Sequence, residues 1–157
     1  MEQLAIFGAG CFWSEELLFA AQQDVTSTSV GYMGGHTKDV NYNAICKGDI
    51  GRAEVVQVTF DDSVIDYSQL LEMFWKNHNP TTPNQQGPDF GTQYRSVVFF
   101  HNPNQQQRAI DILQKLTDDR AFKAPIITII EAANQYHVAE EYHQQYLLKR
   151  GKNSCSI

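Results

Sequence analysis

Leu4-Ala5-Ile6-Phe7-Gly8-Ala9-Gly10-Cys11-Phe12-Trp13-Ser14-Glu15-Glu16-Leu17-Leu18-Phe19-Ala20-Ala21 changes character twice within a short span. Leu4 to Phe7 is an apolar run of strand type. Gly8-Ala9-Gly10 breaks it, and from Cys11 the spacing turns helical, with Trp13, Leu17, Ala20 and Ala21 on one stripe. The reading places Cys11 in the first turn of a helix. Unpaired amides and the positive dipole end there favour thiolate over thiol. Such a thiol is a candidate nucleophile or redox centre. A buried, inert, apolar cysteine fits the same position, and Glu15 and Glu16 oppose a lowered thiol pKa. Both readings stay open on position alone.

Working outward, Val25 to Tyr32 is β-branched and strand-like, and Gly34-Gly35 ends it. His36 to Gly51 is a polar, glycine-punctuated excursion. Glu54 to Phe60 alternates as a strand. Asp66 starts a helix as N-cap, Gln69 completes a capping box, and Tyr67, Leu70, Leu71, Phe74 and Trp75 form the buried stripe. Asn79 to Thr92 is a long loop with three prolines, a length usually tied to function or disorder. Tyr94 to Phe100 is a strand. Pro103 opens a helix with Ala109, Ile112, Leu113 and Leu116 on its face, and Ile126 to Glu131 forms a last strand. The tail from Tyr136 holds a short helix near Glu140 to Leu148 or a coiled wrap. This order predicts an α/β (α+β) sandwich with helices on a mixed or antiparallel sheet.

The 157 residues suit one domain, and 42% hydrophobic with 11% aromatic content supplies its core. The net charge of −6 and the absence of a basic run argue against nucleic acid and anionic membranes as partners. No apolar stretch reaches the roughly 20 residues of a membrane span. Met1-Glu2-Gln3 does not open a secretory leader, so the expected compartment is the cytoplasm. The three cysteines there are expected to be inert, metal-bound or redox-active rather than structural disulfides.

Several motifs fail on their own chemistry. Gly8-Ala9-Gly10 lacks the third glycine of a dinucleotide turn, and Trp13 in its place would block close helix–strand approach. Glu140-Glu141-Tyr142-His143 is one half of a di-iron pattern that needs two, and it reads as a solvated polar segment. Cys11, Cys46 and Cys155 are too scattered for zinc, so no metal is expected. Glu54 is different. It shares strand parity with Val56, Val58 and Phe60 and points to their apolar face. Desolvation there raises a carboxyl pKa and suits a general acid, whereas a rim glutamate reaching water past the strand end fits the same parity. Cys155 follows the polar run Arg150-Gly151-Lys152-Asn153-Ser154. A cysteine on a tail able to move can condense with a sulfenic acid formed elsewhere, or be incidental. Cys46 has no companion that suggests a role.

Gly10-Cys11-Phe12-Trp13 resembles the signature of the A-type peptide methionine sulfoxide reductases. Five further segments are similar to that family in the same order: Gly31-Tyr32-Met33-Gly34-Gly35, Gly51-Arg52-Ala53-Glu54, Phe74-Trp75-Lys76-Asn77-His78-Asn79-Pro80, Gly91-Thr92-Gln93-Tyr94-Arg95-Ser96 and Ala139-Glu140-Glu141-Tyr142-His143-Gln144-Gln145-Tyr146. The resemblance covers nearly the whole chain. It implies a two-layer sandwich with helices on a mixed, largely antiparallel sheet. Residues 1–157 would form a single catalytic domain, with 136–157 a long coiled tail carrying a recycling cysteine.

The implied reaction is thiol-dependent reduction of methionine S-sulfoxide, free or in a protein. Cys11 would be the nucleophile and Glu54 the proton donor, helped by Tyr32 and Tyr94. Phe12 and Trp13 would wall the substrate methyl group, and Asp89 would help position substrate. Cys155 would form a disulfide with Cys11 that thioredoxin reduces, with no cofactor and as a monomer. Ser14 and Arg52 depart from the family's common glycine and histidine, which implies altered packing or substrate preference. Cys46 has counterparts in relatives and is expected to be structural. A thiol redox sensor and a thiol peroxidase are the rival functions; a sensor needs no acid and no pair of phenols around its thiol, and a peroxidase would show no preference for sulfoxide over peroxide.

Overall fold

The computed structural model describes residues 2–22, 24–33, 53–82, 85–86, 89–90, 94–133 and 135–149. Cys46, Arg52, Cys155 and the excursion at 36–51 lie outside them. The elements are β1 (Glu2–Ala9), α1 (Phe12–Ala20), β2 (Val25–Met33), β3 (Ala53–Asp61), α2 (Tyr67–Lys76), β4 (Gln85–Gln86), β5 (Asp89–Phe90), β6 (Ser96–Phe100), α3 (Pro103–Asp118), β7 (Ile129–Ala132) and β8 (His137–Val138). A turn of 3-10 helix (Glu141–His143) and α4 (Tyr146–Lys149) follow.

Six strands form one sheet in the order β7-β6-β1-β3-β2-β8, and β4 and β5 make a separate ribbon. The pairs around β1, β3, β2 and β8 are antiparallel. β6 and β7 run parallel, and α3 is the crossover such a connection requires. The expected mixed, largely antiparallel sheet is therefore observed.

Strand alternation separates two apolar layers. Ala5, Phe7, Val30, Tyr32, Val56, Val58, Phe60 and Val98 face the helices, where Phe12 and Phe19 of α1, the α2 stripe and Ala109 of α3 meet them. Phe7 is the centre of this layer, its ring 5.1 Å from Phe74, 5.4 Å from Phe19 and 6.1 Å from Tyr67. The opposite face carries Ile6, Met33, Ala53, Val55, Val97 and Phe99, packed by Ala133 and Tyr136 of the chain after β7.

Local rules built α2 and α3. Asp66 accepts from Ser68 N while Gln69 returns to the Asp66 amide, and the predicted stripe is buried. Pro103 starts α3 behind an Asn102 cap. Four expectations need correction. The buried residues of α1 are Phe12, Glu15, Glu16, Leu17 and Phe19, not the Trp13–Ala21 stripe, because the sheet and the C-terminal segment cover the helix from two sides. β6 starts at Ser96, after a 3-10 turn that contains Tyr94. β7 starts at Ile129, because the Ile127 amide is taken by Pro80 O outside the sheet. The tail supplies a strand, β8, that capped β2 unannounced.

Candidate active site

The sheet brings the ends of β1 and β2 and the starts of β3 and β6 to one edge. Every residue singled out in those elements lies there. Gly8 allows this convergence. A Cβ at Gly8 would sit 2.7 Å from Val97 Cγ1 and 3.2 Å from Glu54 O, so only a bare backbone passes between β3 and β6. Gly10, at φ 105°, turns the chain out of β1 and into α1, a conformation that L side chains resist.

Cys11 is the N-cap of α1, half-buried and extended, and its carbonyl receives the Ser14 amide at 3.2 Å. Its side chain caps nothing. The first helical amide instead finds a partner from elsewhere: Phe12 N–H donates to Glu54 Oε1 at 3.3 Å. Glu54 is 1% exposed, so the rim alternative does not describe it. Its cross-strand neighbour is Tyr32, also buried on the helix face. Two acidic or phenolic groups and a thiol thus gather around one helix start, where the dipole favours negative charge. Tyr94 is half-buried just ahead of β6 at the same edge. Asp89 lies in the β4–β5 ribbon, paired with Gln86. Cys155 lies outside the described residues.

Phe12 and Trp13 diverge. Phe12 is 1% exposed, with its ring 5.7 Å from Tyr32 and 5.1 Å from His143. Trp13 is half-buried and stacks on Tyr146 at 3.7 Å, with 8° between planes. Its indole N–H donates to His143 Nδ1 at 3.0 Å. His143 Nε2 lies 3.3 Å from Glu140 Oε2, and the Tyr32 hydroxyl donates to that same oxygen at 3.5 Å. Burial pushes His143 below the ordinary imidazole range, against the pull of Glu140. Neutral His143 with Nδ1 accepting must carry its proton on Nε2, toward Glu140.

The Glu140–His143 pair is therefore no solvated segment. His143 is 1% exposed and braces the Trp13 indole. Gln144 clasps both backbone groups of Val30. Glu16, by contrast with a free surface charge, accepts from Thr28, the Gln145 amide and the Gln145 side chain. Sequence reasoning missed these four residues because their partners are more than a hundred positions away or on another element. The one available signal was the Ala139–Tyr146 segment of the family resemblance.

The family model described as peptide methionine sulfoxide reductase matches residues 3–157. A peptide methionine sulfoxide reductase MsrA of Methanothermobacter thermautotrophicus is 51% identical over 98% of this chain and 90% of its own length. Methionine sulfoxide reductase A of Corynebacterium diphtheriae superposes with a TM-score of 0.90 at 35% identity, over 98% of this chain and 77% of that one. Reduced Mxr1 of Saccharomyces cerevisiae gives 0.89 at 34%, over 98% and 88%. Mxr1 in complex with Trx2 shares the fold, with a TM-score of 0.65 at 22% identity over 92% and 84%. A match over residues 3–157, with half the chain identical in a curated relative, leaves one conclusion: this chain belongs to the peptide methionine sulfoxide reductase family, of the A type, an oxidoreductase family acting on peptide-methionine (S)-S-oxide.

Proposed function

We propose that this chain reduces methionine S-sulfoxide, in proteins and as the free amino acid, through attack of Cys11 on the sulfoxide sulfur. The observation that carries this reading is the Phe12 amide, held by buried Glu54 one residue from Cys11. A sulfoxide oxygen leaves only when protonated, and Glu54 of β3, which accepts from the first amide of the nucleophile's helix, supplies that proton. The Cys11 sulfur bonds to the sulfoxide sulfur as the protonated oxygen leaves, and hydroxide then bonds to the Cys11 sulfur as that S–S bond breaks and releases methionine. The methionine sulfur gains two electrons and the cysteine sulfur loses two, giving a sulfenic acid. The proton released by the thiol replaces the one Glu54 gives to the oxygen.

Tyr32 and Tyr94 hydrogen-bond the oxygen, Phe12 and Trp13 receive the methyl group, and Asp89 orients the substrate. Cys155, on the 136–157 tail of a single domain, condenses with the sulfenic acid to a disulfide and water. Thioredoxin reduces that disulfide by exchange. The yeast relative's complex with Trx2 supports thioredoxin as partner. No cofactor enters these steps, the enzyme works as a monomer, and a thioredoxin-reduced cycle suits the cytoplasm. No helix among the described residues is long and apolar enough to cross a membrane.

The test is methionine yield per enzyme. Cys155→Ser makes about one equivalent and then stalls with thioredoxin, whereas Cys46→Ser keeps turning over. The opposite pattern would assign recycling to Cys46. Turnover of hydrogen peroxide without preference for sulfoxide would favour the peroxidase, and no methionine at all the sensor.

A further inference from the structure

The steps above ask Trp13 to receive the substrate methyl group, so the orientation of its indole matters. Two contacts from the C-terminal segment fix that ring in different directions. Tyr146 stacks on it at 3.7 Å with 8° between planes, which sets the plane of the ring. Stacking tolerates offset, so one ring can still slide or turn over the other. The indole N–H donates to His143 Nδ1 at 3.0 Å, and a directional bond removes that freedom. Nδ1 accepts because the proton of the neutral imidazole sits on Nε2, 3.3 Å from Glu140 Oε2.

His143 is itself firmly held. It is 1% exposed, with its ring 5.1 Å from Phe12 and 4.1 Å from Tyr142. Its amide donates to Glu140 O at 2.9 Å. The next residue, Gln144, bonds both backbone groups of Val30. Gln145 donates from its amide to Glu16 on α1 and sits at φ 49°. A residue other than glycine keeps that left-handed conformation only where its surroundings impose it. Val30 and Tyr32 lie two residues apart on the same face of β2. The support of the methyl wall and the phenol that bonds the oxygen are thus referenced to one strand.

A sulfoxide sulfur is chiral, and one hand is selected only by contacts fixed relative to one another. Cys11 sets the direction of attack, Tyr32 takes the oxygen and Trp13 the methyl group. With sulfur and oxygen placed alike, the R epimer turns its longer chain toward the indole instead of its methyl group. We propose that His143 is a positioning residue that sets epimer selection, its Nδ1 holding the Trp13 indole in place relative to Tyr32 and Cys11. This deepens the reading of Trp13 as the methyl wall and rests on it.

The test is single-turnover methionine formation without reductant, at varied concentrations of the S and R sulfoxides of N-acetylmethionine. Wild type, His143→Phe, His143→Asn, Trp13→Ala and the double variant His143→Phe with Trp13→Ala are compared. Phe keeps a ring against Phe12 and removes the acceptor. Asn puts a carbonyl oxygen where Nδ1 stands. His143→Phe is expected to raise the half-saturating S-sulfoxide concentration about fivefold, the net worth of one hydrogen bond. The limiting rate stays within about twofold, because the wall binds ground and transition states alike. The preference for S over R falls by the same factor as the affinity, and His143→Asn restores both. In proton–nitrogen NMR spectra the Trp13 indole resonance moves upfield in His143→Phe and back in His143→Asn. The Trp75 indole, bonded to Thr128 Oγ1 at 2.9 Å, is the fixed reference. In the Trp13→Ala background His143→Phe adds no further loss.

Half-saturation and epimer preference unchanged in folded His143→Phe overturn the positioning role and leave Trp13 as the wall. A loss confined to the limiting rate, or a further loss in the Trp13→Ala background, overturns it as well. Should His143→Phe fail to fold, His143→Leu replaces it, and equal affinities in His143→Leu and His143→Asn overturn the role. A Trp13→Ala variant with unaltered affinity and epimer preference overturns the methyl wall itself, and the positioning role with it.

Discussion

α1 and α2 lie on the same face of the same sheet and begin in opposite ways. α2 is closed by its own neighbours. Asp66 and Gln69 satisfy each other's amides, and its buried stripe is apolar throughout. α1 begins on a cysteine that caps nothing, borrows a carboxylate from β3 for its first amide, and buries Glu15 and Glu16. A helix optimised only for stability begins like α2. The start of α1 gives up that local optimum to hold a thiol, a buried acid and a second carboxyl within one turn. Departures from local rules of this kind collect at functional sites.

The contrast breaks most sharply at the nucleophile. Cys11→Ser should lower sulfoxide reduction by more than about 10⁴-fold, the scale for loss of an activated nucleophile, while circular dichroism and urea midpoint stay unchanged. Residual single-turnover methionine above a few per cent would remove Cys11 from the mechanism. Next comes Glu54→Gln, expected to slow the chemical step by roughly 10²–10⁴, the worth of a positioned acid. The amide oxygen of Gln still accepts from Phe12 N–H, so the fold should hold. An unchanged single-turnover rate at neutral pH would assign the proton elsewhere.

Trp13→Ala should raise KM and weaken discrimination between the two sulfoxide epimers. A tenfold rise corresponds to about 1.4 kcal/mol. Epimer-resolved kinetics in a folded variant would expose a pocket elsewhere if neither quantity moves.

On the α2 side the expected effects are small and confined to stability. His78 closes the end of α2 against Phe74 O and Ser96, and burial lowers it from 6.5 to about 4. The unfolded chain binds the proton first, so the stability from neutral His78 is complete above about pH 6.5 and is lost as pH falls toward 4. His78→Gln should flatten the urea midpoint between those values, and an unaltered slope would place the titration elsewhere. Asp66→Ala should cost about 1 kcal/mol, the usual value of an N-cap, and leave kcat/KM alone. A loss of activity there would erase the distinction between the two helices.

Composition and periodicity alone determined the layers, the capping of α2, the start of α3 at Pro103 and the apolar face on which Glu54 lies. These rest on contacts between residues close in the chain, or on a period of two or 3.6, and both are written locally. The quoted family segments carried the identity of the chain. Local pattern misread what depends on partners far away. The α1 stripe came out wrong because two layers cover the helix, and Ile126 to Thr128 left the strand because Pro80 O took an amide. His143 read as solvated because its indole partner lies 130 residues back. Glu15 read only as a charge opposing a lowered thiol pKa, and only the packing of α1 onto the sheet made it a buried carboxyl pushed well above the ordinary range. Burial and long-range pairing set the energy of a charge, and neither exists until the strands and helices have met.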